Sequence, residues 1–277
     1  MTLARGLIQP RAMQSDFGPL LRRWRSDRRF TQERLALEAE VSTRHLSCLE
    51  SGKASPSREM VLALASTLDL PLRDRNVLLG AAGFQSQFGG APLDSAEMAA
   101  IRRALDLILA KQEPYGAVVF DRLGNVQQMN DGARRLLGYF LDLSTADPRV
   151  LANVHHAVFS PRGLRPVIVN WEEVAGLLVE RLHREIALHP TDEARREMRD
   201  ALLAYPGLPL RFLGSSSAQA AVPVVPVHLR KNGRDVRLFT TLTALGTPLD
   251  VTAQEATIET YFPMDAEAEA FIQELTA

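Results

Sequence analysis

Apolar residues recur at helical spacing through the first eighty positions, in short runs separated by polar turns. Phe17, Leu20, Leu21 and Trp24 mark a helix over 16–30. Leu35, Ala36 and Ala39 mark a second helix, for which Thr31 is the expected N-cap. After a tight turn at Glu40-Val41-Ser42, a third short helix carries Leu46 and Leu49 and stops at Ser51-Gly52. Ser55-Pro56 opens a fourth, proline being favoured at a first helical position, with Val61, Leu64, Ala65 and Leu68 as its stripe. Leu70-Pro71 ends it, and a fifth helix runs over 73–82. Five short helices in about seventy residues predict a compact all-helical bundle.

The run GFQSQFGGAPLDS (83–95) breaks this pattern. It divides the chain into a tail (1–15), a helical domain (16–84), a linker (85–97) and a second domain (98–277). A helix with Met98, Ile101, Leu105 and Ile108 on one face opens the second domain, as a packing helix or a dimer seam. The period then changes to two. YGAVVF (115–120) and VQQM (126–129) read as strands around a turn at 121–125, and Asn130 caps a helix carrying Ala133, Leu136 and Leu137. Asn170 with Glu173 forms an asparagine variant of the capping box before the stripe Val174, Leu177, Leu178, Leu182 and Ile186. A polar helix at about 192–204 and a loop through Ser217 follow. The end is strand-rich: 224–229, an Asn232-Gly233 hairpin turn, 235–245 and 254–262.

Helix, tight turn, helix over 31–51 is the unit that lays its second helix in the DNA major groove. Charge agrees with that reading. The net charge of −1 divides into +4 over residues 1–88 and −5 over the rest. Arg22, Arg23, Arg25, Arg28 and Arg29 crowd eight positions, a phosphate-facing cluster or a solvated helix face. No apolar run reaches the ~18 residues of a transmembrane helix, and no signal peptide is evident. The expectation is a cytoplasmic protein that engages no membrane. The single cysteine, Cys48, excludes intrachain disulfides and cysteine-rich zinc sites.

The opening TQ-x-x-LA, the core V-S-x-x-x-L-x-x-L-E-S-G-K and the following P-S resemble the lambda-repressor-like, xenobiotic-response-element family of helix-turn-helix domains over 17–83. The resemblance implies a phosphate contact from Gln32 and base-edge contacts from Ser42, Thr43, Arg44, Ser47 and Cys48. It also implies an ion pair between Arg25 and Glu50. One departure stands out: a turn position that is usually glycine, for a left-handed backbone, is here Glu40. Residues 98–277 resemble the PAS-like half of the MmyB-like transcription regulators. The residues that carry this are EPYGAVVFD (113–121) with Asn130, Leu136 and Leu137, FSP (159–161) with NWEEVA (170–175), LGTPLDVT-x-QE (245–255) and IETYFPMD (258–265). That resemblance implies an α+β domain with an antiparallel sheet and an apolar pocket, for which fatty-acyl compounds are a suitable ligand class.

Several residues carry two readings. Arg44 contacts guanine bidentately or a phosphate. Ser42 touches a base or caps its helix. Lys53 and Arg58 read as phosphate contacts. Cys48 fills space or acts as a redox switch. Trp171, Val174, Leu177, Leu178 and Leu182 of the long helix, with Val118, Phe120, Phe239, Leu242 and Tyr261 of the strands, line a ligand pocket or a dry core. Arg181 and Arg184 anchor a carboxylate or stay solvated. His155-His156, His183 and His189 lack metal-ligand spacing. Asp121 and Glu113 lack the nucleophile or paired group that acid catalysis needs. The expectation is therefore a dimeric regulator of double-stranded DNA, with a small apolar ligand and no cofactor, metal or catalytic residue. The alternative is a constitutive DNA-binding protein whose second domain only dimerises or docks a partner.

Overall fold

The computed structural model describes residues 16–142, 145–208 and 226–276. The tail at 1–15, the later part of the loop through Ser217 and the strand start at 224–225 lie outside the described residues. The chain divides into two compact units, residues 1–88 and 89–277.

The first unit holds α1 (Phe17–Asp27), α2 (Gln32–Glu38), α3 (Thr43–Glu50), α4 (Arg58–Thr67) and α5 (Leu72–Ala81). Their apolar stripes meet in one core built on Phe17, Leu21, Trp24, Leu46, Leu49 and Leu64. Side-chain oxygens of Thr31, Ser42 and Ser57 accept from the backbone N–H of Arg34, His45 and Met60 and set the starts of α2, α3 and α4. The fourth helix therefore begins after Ser57 rather than at Pro56, because the serine hydroxyl provides the cap. All five helices close the same way. A residue with positive φ follows each one: Arg29, Glu40, Gly52, Asp69 and Gly83. The next N–H reaches back to a carbonyl in the last turn, as Phe30 to Arg25, Val41 to Ala36 and Leu70 to Ala65. Glu40, at φ 55°, thus takes the left-handed conformation usual for glycine there, at a cost of about 1–2 kcal/mol.

The expected linker is not slack. Asn76 accepts from the N–H groups of Gln87 and Phe88 and donates to the Phe88 carbonyl, and Arg58 donates to the Gln85 carbonyl, so 85–88 belong to the first unit. Gly89 accepts from the Val251 N–H, and Leu93 is buried in the second unit's core.

The second unit is α+β. Its described elements are α6 (Ala99–Gln112), β1 (Ala117–Phe120), β2 (Val126–Met129), α7 (Asp131–Phe140), α8 (Pro148–Ala152), α9 (Val154–Phe159), α10 (Trp171–Leu188), α11 (Glu193–Leu203), β3 (Val227–Lys231), β4 (Arg234–Ala244), α12 (Val251–Glu255), β5 (Thr257–Pro263) and α13 (Ala266–Glu274). The strands form an antiparallel sheet of order β2-β1-β5-β4-β3. Asn232 and Gly233, both at positive φ, make the β3–β4 turn. Alternation divides β1 cleanly. Ala117 and Val119 pack with Leu105 and Leu109 of α6, and Val118 and Phe120 with Ala133 of α7. On α6 it is Leu109 rather than Ile108 that is buried, Ile108 keeping 39% exposure. Asn170 does not form a capping box: it accepts from the His228 N–H and donates to the Pro226 carbonyl and to Glu173, fastening the start of α10 to β3.

Candidate functional site

The first candidate site is the open face of α3. Leu46, Leu49 and Glu50 point into the bundle. Thr43, Arg44 and Ser47 point outward, and Cys48 is half-buried beside them. Ser42 is the N-cap, its hydroxyl oxygen accepting from the His45 N–H at 3.1 Å. Arg44 and Lys53 are exposed, and their side chains make no hydrogen bond or ion pair among the described residues, so both are available to an anionic partner.

Glu50 organises the inner end of this face. Its side chain is fully buried. Arg25 donates to both of its oxygens, at 2.6 and 3.0 Å, and Arg22 approaches at 3.4 Å. Gln32, expected on a phosphate, donates to the same carboxylate at 2.7 Å. Burial alone would raise the Glu50 pKa; the bonds from Arg25 and Gln32 and the charges of Arg25 and Arg22 outweigh it and hold the group below the ordinary glutamate range. Two of the five clustered arginines therefore serve the fold. Arg58, also read as a phosphate contact, directs its guanidinium to Gln85 and Gln87.

The free, outward guanidinium of Arg44 gives a specific expectation. Arg44→Ala should relax base preference at one or two positions, costing about 1–3 kcal/mol on the preferred duplex. Lys53→Ala should weaken all duplexes alike and reduce the salt slope. Affinity measured on matched and single-mismatch duplexes distinguishes the two, and a uniform loss for Arg44→Ala would move that residue to the phosphate class.

The second candidate site faces α10 in the second unit. Val118, Phe120 and Tyr261 form one cluster with Ala133. On α10, Trp171, Val174 and Leu182 are buried, with Ala175 and Val179 beside them and Leu178 packed against the same core. Leu177 is half-buried and outside that cluster, because the helix turns its stripe through 175 and 179. Trp171 donates its indole N–H to the Val158 carbonyl, and the Arg165 guanidinium lies 3.8 Å over its ring. Phe239 does not face Tyr261. It pairs with Phe262 and stacks on it at 5.2 Å, on the opposite side of the sheet, and the partner of Tyr261 is Thr240. The register is one residue away from a pocket that includes Phe239. Leu242 shares the Tyr261 side through its partner Glu259, but 46% of it is exposed.

Polar groups that no period marked stand among these side chains. Tyr261 donates to Glu259 at 3.1 Å. Burial raises the Glu259 carboxyl above its ordinary value, against the opposing effects of the Arg181 charge and bonds from Tyr261 and Thr240. Burial and the adjacent Glu259 carboxyl push the Tyr261 hydroxyl well above 10. His155, 7% exposed, sets its ring edge against Phe120. Burial first, then the positive charge of Arg181, lowers it to about 4, so it is neutral at pH 7. His156 bonds Tyr205 at 2.9 Å, His189 lies 3.8 Å from Glu185, and no group suited to a metal ion occurs among the described residues. Asp121 accepts from the N–H groups of Leu123 and Asn125 and holds the β1–β2 turn, and Glu113 accepts from the Gly132 N–H and the Arg135 side chain and holds the start of α7. No described helix is long and apolar enough to cross a membrane.

A helix-turn-helix bundle followed by an α+β domain defines a DNA-binding regulator in two parts. The chain belongs to the MmyB-like transcription regulators: the model of that family's ligand-binding domain matches residues 101–275, and a helix-turn-helix domain model matches 16–78. Among solved structures, two of the clp gene regulator ClgR from Corynebacterium glutamicum are similar at 30% and 27% identity. They cover 28% and 38% of this chain and 96% and 99% of their own, each with a TM-score of 0.23. An RNA-binding light-oxygen-voltage receptor is similar at 12% identity over 96% of this chain and 64% of its own, with a TM-score of 0.26. No curated protein matches.

Proposed function

We propose that this DNA-binding transcription regulator is ligand-responsive, and that its second domain takes a small apolar molecule of the fatty-acyl class between α10 and the Val118–Tyr261 side of its PAS-like sheet. The reading is carried by the sheet register, which puts Val118, Glu259 and Tyr261 on one side of the sheet, where Tyr261 packs against the core of α10 and, like Leu178, stays only half-buried. A fatty-acyl chain suits that setting, since each buried CH₂ contributes about 0.8 kcal/mol. The protein works on double-stranded DNA as a cytoplasmic homodimer, without enzymatic activity and without a cofactor. Leu178→Trp should abolish binding of medium and long fatty acids while DNA binding persists. Calorimetry on both proteins decides, and equal binding by both would remove the ligand from this helix.

A second reading has its own support. Leu107 and Ile108 are 65% and 39% exposed on α6, an apolar pair that fits a constitutive dimer whose second domain takes no ligand. Native mass spectrometry of the purified chain separates the two: a retained small molecule favours the first, and an empty dimer the second.

A further inference from the structure

A strand carries hydrogen-bonding groups on both of its edges, and one stretch of edge in this sheet is bare. β4 runs over eleven residues, Arg234–Ala244. β5 pairs with it from Leu238 to Ala244, but β3 covers it only from Arg234 to Leu238. Arg237 turns its carbonyl toward β5, accepting from the Met264 N–H. Alternation then points the backbone N–H and C=O of Thr240, Leu242 and Ala244 the other way, beyond the reach of β3. These groups bond to no described residue there. The outer edge of β3, by contrast, is closed. Val169 donates to the His228 carbonyl, and the Asn170 side chain accepts from the His228 N–H and donates to the Pro226 carbonyl.

A bare edge is a template for another strand, and proteins usually blunt it with lysine or proline. Neither occurs here: from Leu238 to Thr247 the chain carries no charge and no proline. Thr241, Leu242, Thr243 and Ala244 are all exposed. The stretch is also complementary to itself. Two copies set antiparallel about a two-fold axis at Leu242 bring Leu242 opposite Leu242 and Thr240 opposite Ala244, each pair exchanging both backbone bonds. On the other face Thr241 meets Thr243 at the closer spacing, where threonines hydrogen-bond across strands. No like charges meet. The chain's own approach to β3 is a poorer match. Continued in the β3 register, it would set Pro223 opposite Leu242, and proline has no N–H for the Leu242 carbonyl.

We propose that the Thr240–Ala244 edge of β4 is a homodimer surface, at which the second domains of two chains join their sheets into one. This rests on the homodimer reading above and gives it a surface other than α6. Analytical ultracentrifugation of the full chain tests it. The wild type should sediment as a dimer. Leu242→Lys sets two like charges on the axis and should weaken that dimer ~100-fold or more. Leu107→Lys, on α6, should leave it within about threefold. A second variant pair fixes the register. Leu242→Cys in a Cys48→Ser background should form an intermolecular disulfide on mild oxidation, because hydrogen-bonded antiparallel pairs hold their Cα atoms about 5.5 Å apart. Thr243→Cys in the same background should not, since residue 243 faces residue 241. The disulfide decides even if Leu242→Lys fails to fold. A dimer that survives Leu242→Lys, or that is lost in Leu107→Lys, would overturn the edge assignment alone. So would equal crosslinking at 242 and 243. A monomeric wild type would remove the homodimer reading and this inference together, and slow amide exchange at Leu242 in that monomer would give the edge to another stretch of the same chain.

Discussion

Replacing Glu50 with alanine is expected to destabilise the helix-turn-helix domain by about 3–5 kcal/mol, the cost of breaking a buried ion pair from one side. The carboxylate is fully buried and accepts from Arg25, Gln32 and Arg22, on two helices that pack against α3. Its removal leaves the Arg25 guanidinium, 13% exposed, with only the Phe30 carbonyl. The close packing adds to the loss. A Cβ at Gly18 would lie 2.7 Å from the carbonyl oxygens of Leu49 and Glu50, so α1 rests directly on the end of α3 and has no slack to re-form elsewhere. The two tryptophans allow a clean measurement. Trp24 is in this core and Trp171 in the other domain, so fluorescence melting in a Trp171→Phe background follows the first unit alone. The same pair fixes a pH dependence. Glu50 has a folded pKa below its ordinary 4.5, so its contribution is fully present above that value and is lost as pH falls through the lower, folded one. The wild-type melting temperature should fall in acid below about pH 4.5, and that of Glu50→Ala should fall less. Matching acid profiles for the two proteins would mean that the carboxylate does not couple to folding.

Phe159→Ala should cost the second domain about 3–5 kcal/mol. The ring has no exposed surface and meets Trp171 edge-on at 6.2 Å and Tyr205 at 6.5 Å, joining the end of α9, the start of α10 and the end of α11. Nothing short of moving a helix refills the space. The transition of the second domain should drop in differential scanning calorimetry while the first unit still binds DNA. A loss under ~1 kcal/mol would mean that α9 and α10 can close over the gap.

The contrast between the two domains explains what the sequence made legible. In the first, each helix is bounded by a residue with a local job. Thr31 and Ser42 accept backbone hydrogen bonds at helix starts, and the apolar stripe runs unbroken between caps. The ion pair of Arg25 and Glu50 was legible through the family motif that contains it. The side-chain partners of Gln32 and Arg58 were not legible, because a partner 18 or 27 residues away leaves no periodic trace. In the second domain the strands and α10 were legible from alternation and length. α8 and α9, at five and six residues, are too short for a helical stripe to register. α13 was hidden behind the strand signal of β5. Phe239 fell on the wrong side by a single residue of register, which alternation cannot fix without the cross-strand partner. The burial of His155 and Glu259 was not legible, because it is decided by tertiary packing and not by spacing along the chain.

If the second domain takes a fatty acid, filling it should change the grip of the first domain on the DNA sequence it reads. The direct test is to select duplexes from a random pool with the full-length protein. Affinity for the enriched sequence is then measured with and without saturating fatty acid at fixed salt, since salt alone moves such affinities strongly. One enriched motif is expected, with a several-fold change in its affinity on adding fatty acid, as differential binding to two states requires. No enriched motif, or an affinity that fatty acid leaves unchanged, would contradict it.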